Sequence, residues 1–143
     1  PVEGSVKDLA EVNDSVFSEG LMGKGVAIEP KIGKVMAPFD GIVEAIFSTK
    51  HAIGLKSNDG VEVLIHIGLD TVNLEGKHFK SHITNGQTIK AGDLLVEFDL
   101  DEIKKEGYDV ITPFIITNSD EYEDVLVVKN GEVTNNDNLL KLI

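Results

Sequence analysis

The sequence predicts an all-β fold: an antiparallel sandwich or distorted barrel with a duplicated hairpin motif and one or two short helices. Three observations carry this. Short Val- and Ile-rich runs recur at roughly eight to twelve residues, the spacing of sandwiches and barrels. Turn residues separate them. One segment alone has the charge order of a helix. The runs are Gly25–Glu29, Gly41–Phe47, Val61–Ile67, Asp93–Phe98, Phe114–Thr117 and Val125–Lys129. Turn signals stand at Ser57-Asn58-Asp59-Gly60, Thr84-Asn85-Gly86, Ala91-Gly92-Asp93 and Lys129-Asn130-Gly131. Asp99–Gly107 has acids first, lysines later and a closing glycine, so it reads as a short capped helix.

A faint internal repeat supports duplication. Pro1–Val6 matches Pro38–Val43 at Pro, acid, Gly and Val, and Gly25–Ile28 resembles Gly60–Val63 at a similar offset. With 143 residues the chain is expected to form one domain over 1–143, large enough to fold around its own core without metal or disulfide.

Composition removes several functions. No cysteine is present, so disulfides, thiol catalysis and thiolate metal sites are excluded, and a reducing cytoplasm fits better than an oxidising compartment. Acids number 25 against 13 bases, a net charge of −12, and every base is lysine. Such a chain is repelled by phosphate backbones and anionic lipid, so nucleic acid is a poor partner and a basic protein a good one. No stretch approaches the ~20 apolar residues of a membrane helix, so no membrane insertion is expected.

The chemistry concentrates in Phe47–Asp70, which reads as strand, turn, strand. A two-residue loop at Asn58-Asp59, or a four-residue loop at Ser57–Gly60, places His51 directly opposite His66. A two-residue loop at Asp59-Gly60 makes them diagonal on one face. Only a three-residue loop or a bulge separates their faces, because a slip of one inverts a strand. Val61, Val63, Ile65 and Ile67 form an apolar face, so His66 points the other way with Leu64. Phe47, Thr49, His51, Ile53 and Leu55 share one parity and are expected on the histidine face.

Two adjacent neutral imidazoles suit transient phosphorylation of one ring while the other donates to the phosphate oxygens. The same pair could hold a metal that still lacks a carboxylate or third histidine, or form an idle cross-strand pair. Asp70 reads as a metal ligand, a docking acid or the cap of a short turn at Thr71-Val72, with capping the simplest role. His78 and His82 are expected on the surface.

At this hairpin the chain resembles a known family. T-K-H-A-I, V-E-V-L-I-H-I-G-L-D-T-V and L-E-G-K-H-F are similar to the glucose-type enzyme IIA domains of the bacterial sugar phosphotransferase system, as are G-V-A-I-E-P, V-M-A-P-F-D-G-I-V, E-F-D-L and T-P-F-I-I-T-N. The resemblance implies a cytoplasmic phosphocarrier. His66 would accept a phosphoryl group from phospho-HPr through Nε2 and hand it to the cysteine of a permease's IIB domain. His51 matches the second histidine, Thr49 the hydroxyl that orients it, and Gly68 the carbonyl that holds His66 Nδ1–H. Asp14 and Asp70 match flanking acids. Phe17, Phe47, Ile53, Leu64 and Val72 match an apolar docking rim. No cofactor is required; His51 and His66 could take an adventitious or regulatory zinc ion. A zinc hydrolase of lysostaphin-like fold using His66 and Asp70 is the alternative, but the H-x-H element it needs is missing. A lipoyl or biotinyl carrier needs a lysine at a hairpin tip, and Ser57–Gly60 has none.

Overall fold

The computed structural model describes residues 1–142 apart from Leu21, Asn130, Asn135, Asn136 and Asn138. Its strands are β1 (Gly4–Asp8), β2 (Lys24–Pro30), β3 (Lys34–Met36), β4 (Gly41–Ile46), β5 (Ala52–Ser57), β6 (Glu62–His66), β7 (Phe79–Ser81), β8 (Thr88–Ile89), β9 (Leu94–Phe98), β10 (Thr112–Ile116), β11 (Val125–Val127), β12 (Gly131–Val133) and β13 (Leu140–Leu142). Two short helices accompany them, α1 (Ser15–Ser18) and α2 (Leu100–Lys105).

All pairings are antiparallel. Eight strands form one sheet in the order β12-β1-β2-β10-β6-β5-β4-β8, a second sheet is β3-β9-β7, and β11 pairs with β13. The large sheet has two ends, so the architecture is an open sandwich and not a closed barrel. The main core includes Val26, Ile28, Ile53, Leu55, Val63, Ile65, Phe114 and Ile116 from the large sheet, with Val35, Phe79, Leu95 and Phe98 from the three-stranded one. The intervening residues of the central strands turn outward. Ala27 and Ile115 join Leu9, Val12, Phe17, Leu69 and Ile111 in a second cluster, against which Leu64 packs. Alternation along β2, β10 and β6 thus builds two apolar layers on opposite sides of one sheet.

The helix expected over Asp99–Gly107 is α2, with Asp99 as N-cap accepting a bond from the Glu102 amide and Ile103 buried beneath it. Helix α1 was not legible: it is one turn, held where the Asp14 carbonyl accepts from the Phe17 and Ser18 amides. The repeat is half borne out. Gly4 pairs with Pro30 and Gly41 with Ser57, and at each a Cβ would strike the neighbouring strand's carbonyl, of Glu29 and Lys56 respectively, at about 2 Å. Both positions therefore demand glycine for close backbone approach. Gly25 is similarly pressed but Gly60 is open and sits at φ +90°, so that second match is not equivalent. The proposed last turn includes Asn130, which lies outside the described residues.

The main correction concerns the β5–β6 hairpin. Ala52 lies opposite His66, Ile53 opposite Ile65 and Leu55 opposite Val63, while the Ser57 amide bonds the Val61 carbonyl. The connection is thus a three-residue loop, Asn58-Asp59-Gly60, made possible by the positive φ of Gly60. This register puts Ile53 and Leu55 on the same face as Val63 and Ile65. Ile53 is 0% exposed and belongs to the core, so it is no part of a docking rim. Phe47 is 50% exposed. Ile53→Ala should therefore cost about 2–5 kcal/mol, and Phe47→Asp less than about 1 kcal/mol. Urea unfolding of both variants checks the assignment; equal losses would reverse it.

Candidate functional site

The histidines meet despite the slipped register. Lys50 has φ +63°, in the turn that leads into β5. The His51 carbonyl accepts from the Ile67 amide at 2.7 Å, tying it to the end of β6. The two imidazole rings stand edge to face, centroids 5.0 Å apart at 82°. His51 is 3% exposed and His66 half-buried. Phe17 packs on His66 at 5.0 Å, and Phe47 meets His51 edge-on at 5.5 Å.

Each ring is held by one nitrogen. His66 Nδ1 donates to the Gly68 carbonyl at 2.6 Å. A carbonyl can only accept, so this nitrogen carries the proton and Nε2 keeps its lone pair. His51 Nδ1 lies 2.7 Å from Thr49 Oγ1. When the hydroxyl donates, His51 Nε2 carries the proton and can donate onward. Gly68 has φ +75°, and a Cβ there would meet the Asp109 carbonyl at 2.6 Å and the Thr71 methyl at 2.7 Å. Only glycine fits the turn that aims the carbonyl.

Burial sets the charge of the pair. It pushes His51 down to about 4, helped by repulsion from His66. Burial also lowers His66, against the opposing pull of the Gly68 hydrogen bond and the Asp14 and Asp70 carboxylates. Both rings are neutral at neutral pH, as a nucleophile must be.

The remaining candidates divide. Val72 is 47% exposed and, with Phe47, offers apolar surface; Leu64 is half-buried against the second cluster. Phe17 is buried, so it serves the His66 ring more than an open rim. Asp70 precedes the Thr71–Leu74 turn, but its side chain makes no cap bond. Capping is not its role; its carboxylate is exposed and acts on His66 through charge. His78 is half-buried and bonds Glu106, whereas His82 is exposed and bonds Glu97. They serve separate partners and no common site. Among the described residues no three His, Asp or Glu side chains gather at one metal position.

An antiparallel sandwich that carries an oriented, neutral histidine beside a second one has the features a phosphoryl relay requires. The family model for the phosphoenolpyruvate-dependent sugar phosphotransferase system, EIIA 1, matches residues 1–122, and the chain belongs to this family. It is 56% identical over 142 residues to the β-glucoside-specific EIIBCA component of Bacillus subtilis (strain 168), covering 99% of this chain and 23% of that protein. The chain thus spans about a quarter of the length of such relatives. It is 49% identical over 125 residues to the glucose-specific EIIA component of Bacillus cereus, covering 87% of this chain and 76% of that one. The solved glucose permease IIA from Mycoplasma capricolum superimposes with a TM-score of 0.90 at 41% identity, covering 98% of this chain and 90% of the other. The comparisons place the chain in the EIIA family of the sugar phosphotransferase system, and nothing in them supports the zinc-hydrolase alternative.

A depressed folded pKa makes the unfolded chain the stronger proton binder. Stability from His51 is present above about 6.5 and is lost as pH falls towards its folded value of about 4. At roughly 1.4 kcal/mol per unit, the loss from His51 approaches about 3 kcal/mol at that lower pH. Denaturant unfolding across this window should show a shallower decline for His51→Gln than for the parent. A His51 ring that titrates near 6.5 by NMR would contradict the assignment.

Proposed function

We propose that His66 is the phosphoryl acceptor, charged by phospho-HPr in the cytoplasm and discharged to the cysteine of a sugar permease's IIB domain. The observation that carries this is the Nδ1–Gly68 hydrogen bond, which leaves the Nε2 lone pair free beside His51. That pair attacks phosphorus, an N–P bond forms, and the bond to the donor's nitrogen breaks with its electron pair leaving on the donor. His66 keeps its Nδ1 proton, so the ring becomes cationic. The Gly68 carbonyl and the two nearby carboxylates favour that cation. His51, oriented by Thr49, donates to the incoming oxygens.

Phosphoryl transfer asks for in-line placement and charge stabilisation more than for acid–base chemistry. Phe17 and Phe47 over the rings exclude water and protect a labile phosphohistidine. The −12 charge draws a basic donor face, and exposed Phe47 and Val72 supply apolar contact. Zinc is not needed, and would inhibit by occupying the Nε2 lone pair.

His66→Gln should accept no phosphoryl group from phospho-HPr while remaining folded, as read by intact mass. His51→Gln should slow onward donation to IIB more than acceptance, because an amide can donate a hydrogen bond but cannot carry positive charge. The parent should phosphorylate normally after chelation, with an adduct labile in acid and stable in alkali. Normal uptake by His66→Gln, or uptake that needs added zinc, would sink the proposal.

A further inference from the structure

The carbonyl that orients His66 belongs to a residue with no side chain, so something else must hold it. Gly68 joins two peptide units. The Gly68 carbonyl and the Leu69 amide share one unit, and that amide donates to the Asp109 carbonyl at 3.0 Å. The Ile67 carbonyl and the Gly68 amide share the other. Its carbonyl accepts from the Thr71 hydroxyl at 2.5 Å. Thr71 is 0% exposed, and its methyl group lies 2.7 Å from where a Gly68 Cβ would stand. Gripping both units sets φ and ψ of Gly68 together, and with them the aim of its carbonyl.

We propose that Thr71 is a positioning residue for the phosphoryl step, holding the Gly68 backbone where it keeps the proton on His66 Nδ1. The inference rests on reading His66 as the acceptor. Thr71 acts with two parts of one side chain. The hydroxyl anchors the Ile67–Gly68 peptide, and the methyl supports the Gly68 α-carbon. A buried hydroxyl has strong reason to keep its partner, since an unpaired one in that setting is costly. Without the anchor only the Leu69–Asp109 bond holds the left-handed glycine, so its φ can relax and the carbonyl shifts off its line to Nδ1. His66 then divides between tautomers, and only the one with a free Nε2 can attack.

Thr71→Val keeps the shape and removes the hydroxyl; Thr71→Ser keeps the hydroxyl. Single-turnover phosphorylation by phospho-HPr should slow at least about tenfold in Thr71→Val, with HPr affinity unchanged. Its His66 Nδ1–H proton should lose its hydrogen-bonded NMR shift and exchange faster. Thr71→Ser should stay within about twofold of the parent. If Thr71→Val does not fold, Thr71→Ala and Thr71→Ser both lack the methyl and differ in the hydroxyl. The same gap of about tenfold is then expected between those two. A folded Thr71→Val with the parent's rate and Nδ1–H signal, or equal rates for the Ala and Ser variants, overturns this inference alone. Peptide mapping that finds the parent's phosphoryl group away from His66 overturns the acceptor reading and this one with it.

Discussion

One hydrogen bond organises the site: His66 Nδ1–H to the Gly68 carbonyl. It decides which ring nitrogen holds a lone pair, and so which atom can react. The requirements spread outward from it. The carbonyl must point back along its own strand, which takes a left-handed residue two positions after the histidine. No side chain fits between the Asp109 backbone and Thr71, so that residue is glycine. The loop bearing Asp109 must in turn sit against the end of β6, and β10, which follows it, pairs beside β6. Much of the sheet order thus serves the direction of one C=O bond.

The two-sided sheet supplies the second condition. A sandwich with one apolar layer would leave His66 on a wet face, with an ordinary imidazole pKa. Here the segment from Leu9 to Phe17 folds back and caps the outer face of β2, β10 and β6. His66 stands at the margin of that cap, under Phe17 but not sealed by it. Full burial would bar a partner, and full exposure would leave part of the ring protonated near neutral pH. The half-buried position meets both demands, and His51, deeper in, is held neutral to a lower pH.

Much of this was legible from sequence, for identifiable reasons. Alternation in Val61–Ile67 assigned the faces of β6 correctly, because period-two patterns survive where one face is a core. The capping signature of Asp99–Gly107 located α2. The partner strand was misread at one point. Ser57-Asn58-Asp59-Gly60 is compatible with loops of two, three or four residues, and each changes the register. The three-residue loop won because it faces Ile53 to Ile65 and Leu55 to Val63, burying all four. The histidine rings meet all the same, 5.0 Å apart at the end of the hairpin, a contact that strand parity alone does not give. Phe17 was expected on an open rim and lies buried, because α1, a helix too short to leave a periodicity, was invisible. Thr71 read only as part of a turn; its hydroxyl bond depends on a fold-back of four residues that propensity does not encode.

The charge balance around the pair has a consequence for transfer in both directions. A relay intermediate must not be too stable, or it will not pass its cargo on. Taking His66 as the acceptor, the incoming phosphoryl group is a dianion arriving at a chain of net charge −12, with Asp14 and Asp70 close enough to act on the ring. Those carboxylates repel the phosphoryl oxygens while they attract the cationic imidazole that carries them. Their contributions to the adduct therefore oppose one another. The hydrogen bond from His51 and the Gly68 carbonyl stabilise it; the acids and the thin apolar cover limit that stabilisation. Arginine, with a permanent charge and a two-pronged grip on phosphate, would tip the balance towards retention. The chain has none, and donates instead through an imidazole whose own pKa is low. A donor that is neutral holds a dianion less firmly than a permanent cation would, which leaves the group easier to pass on.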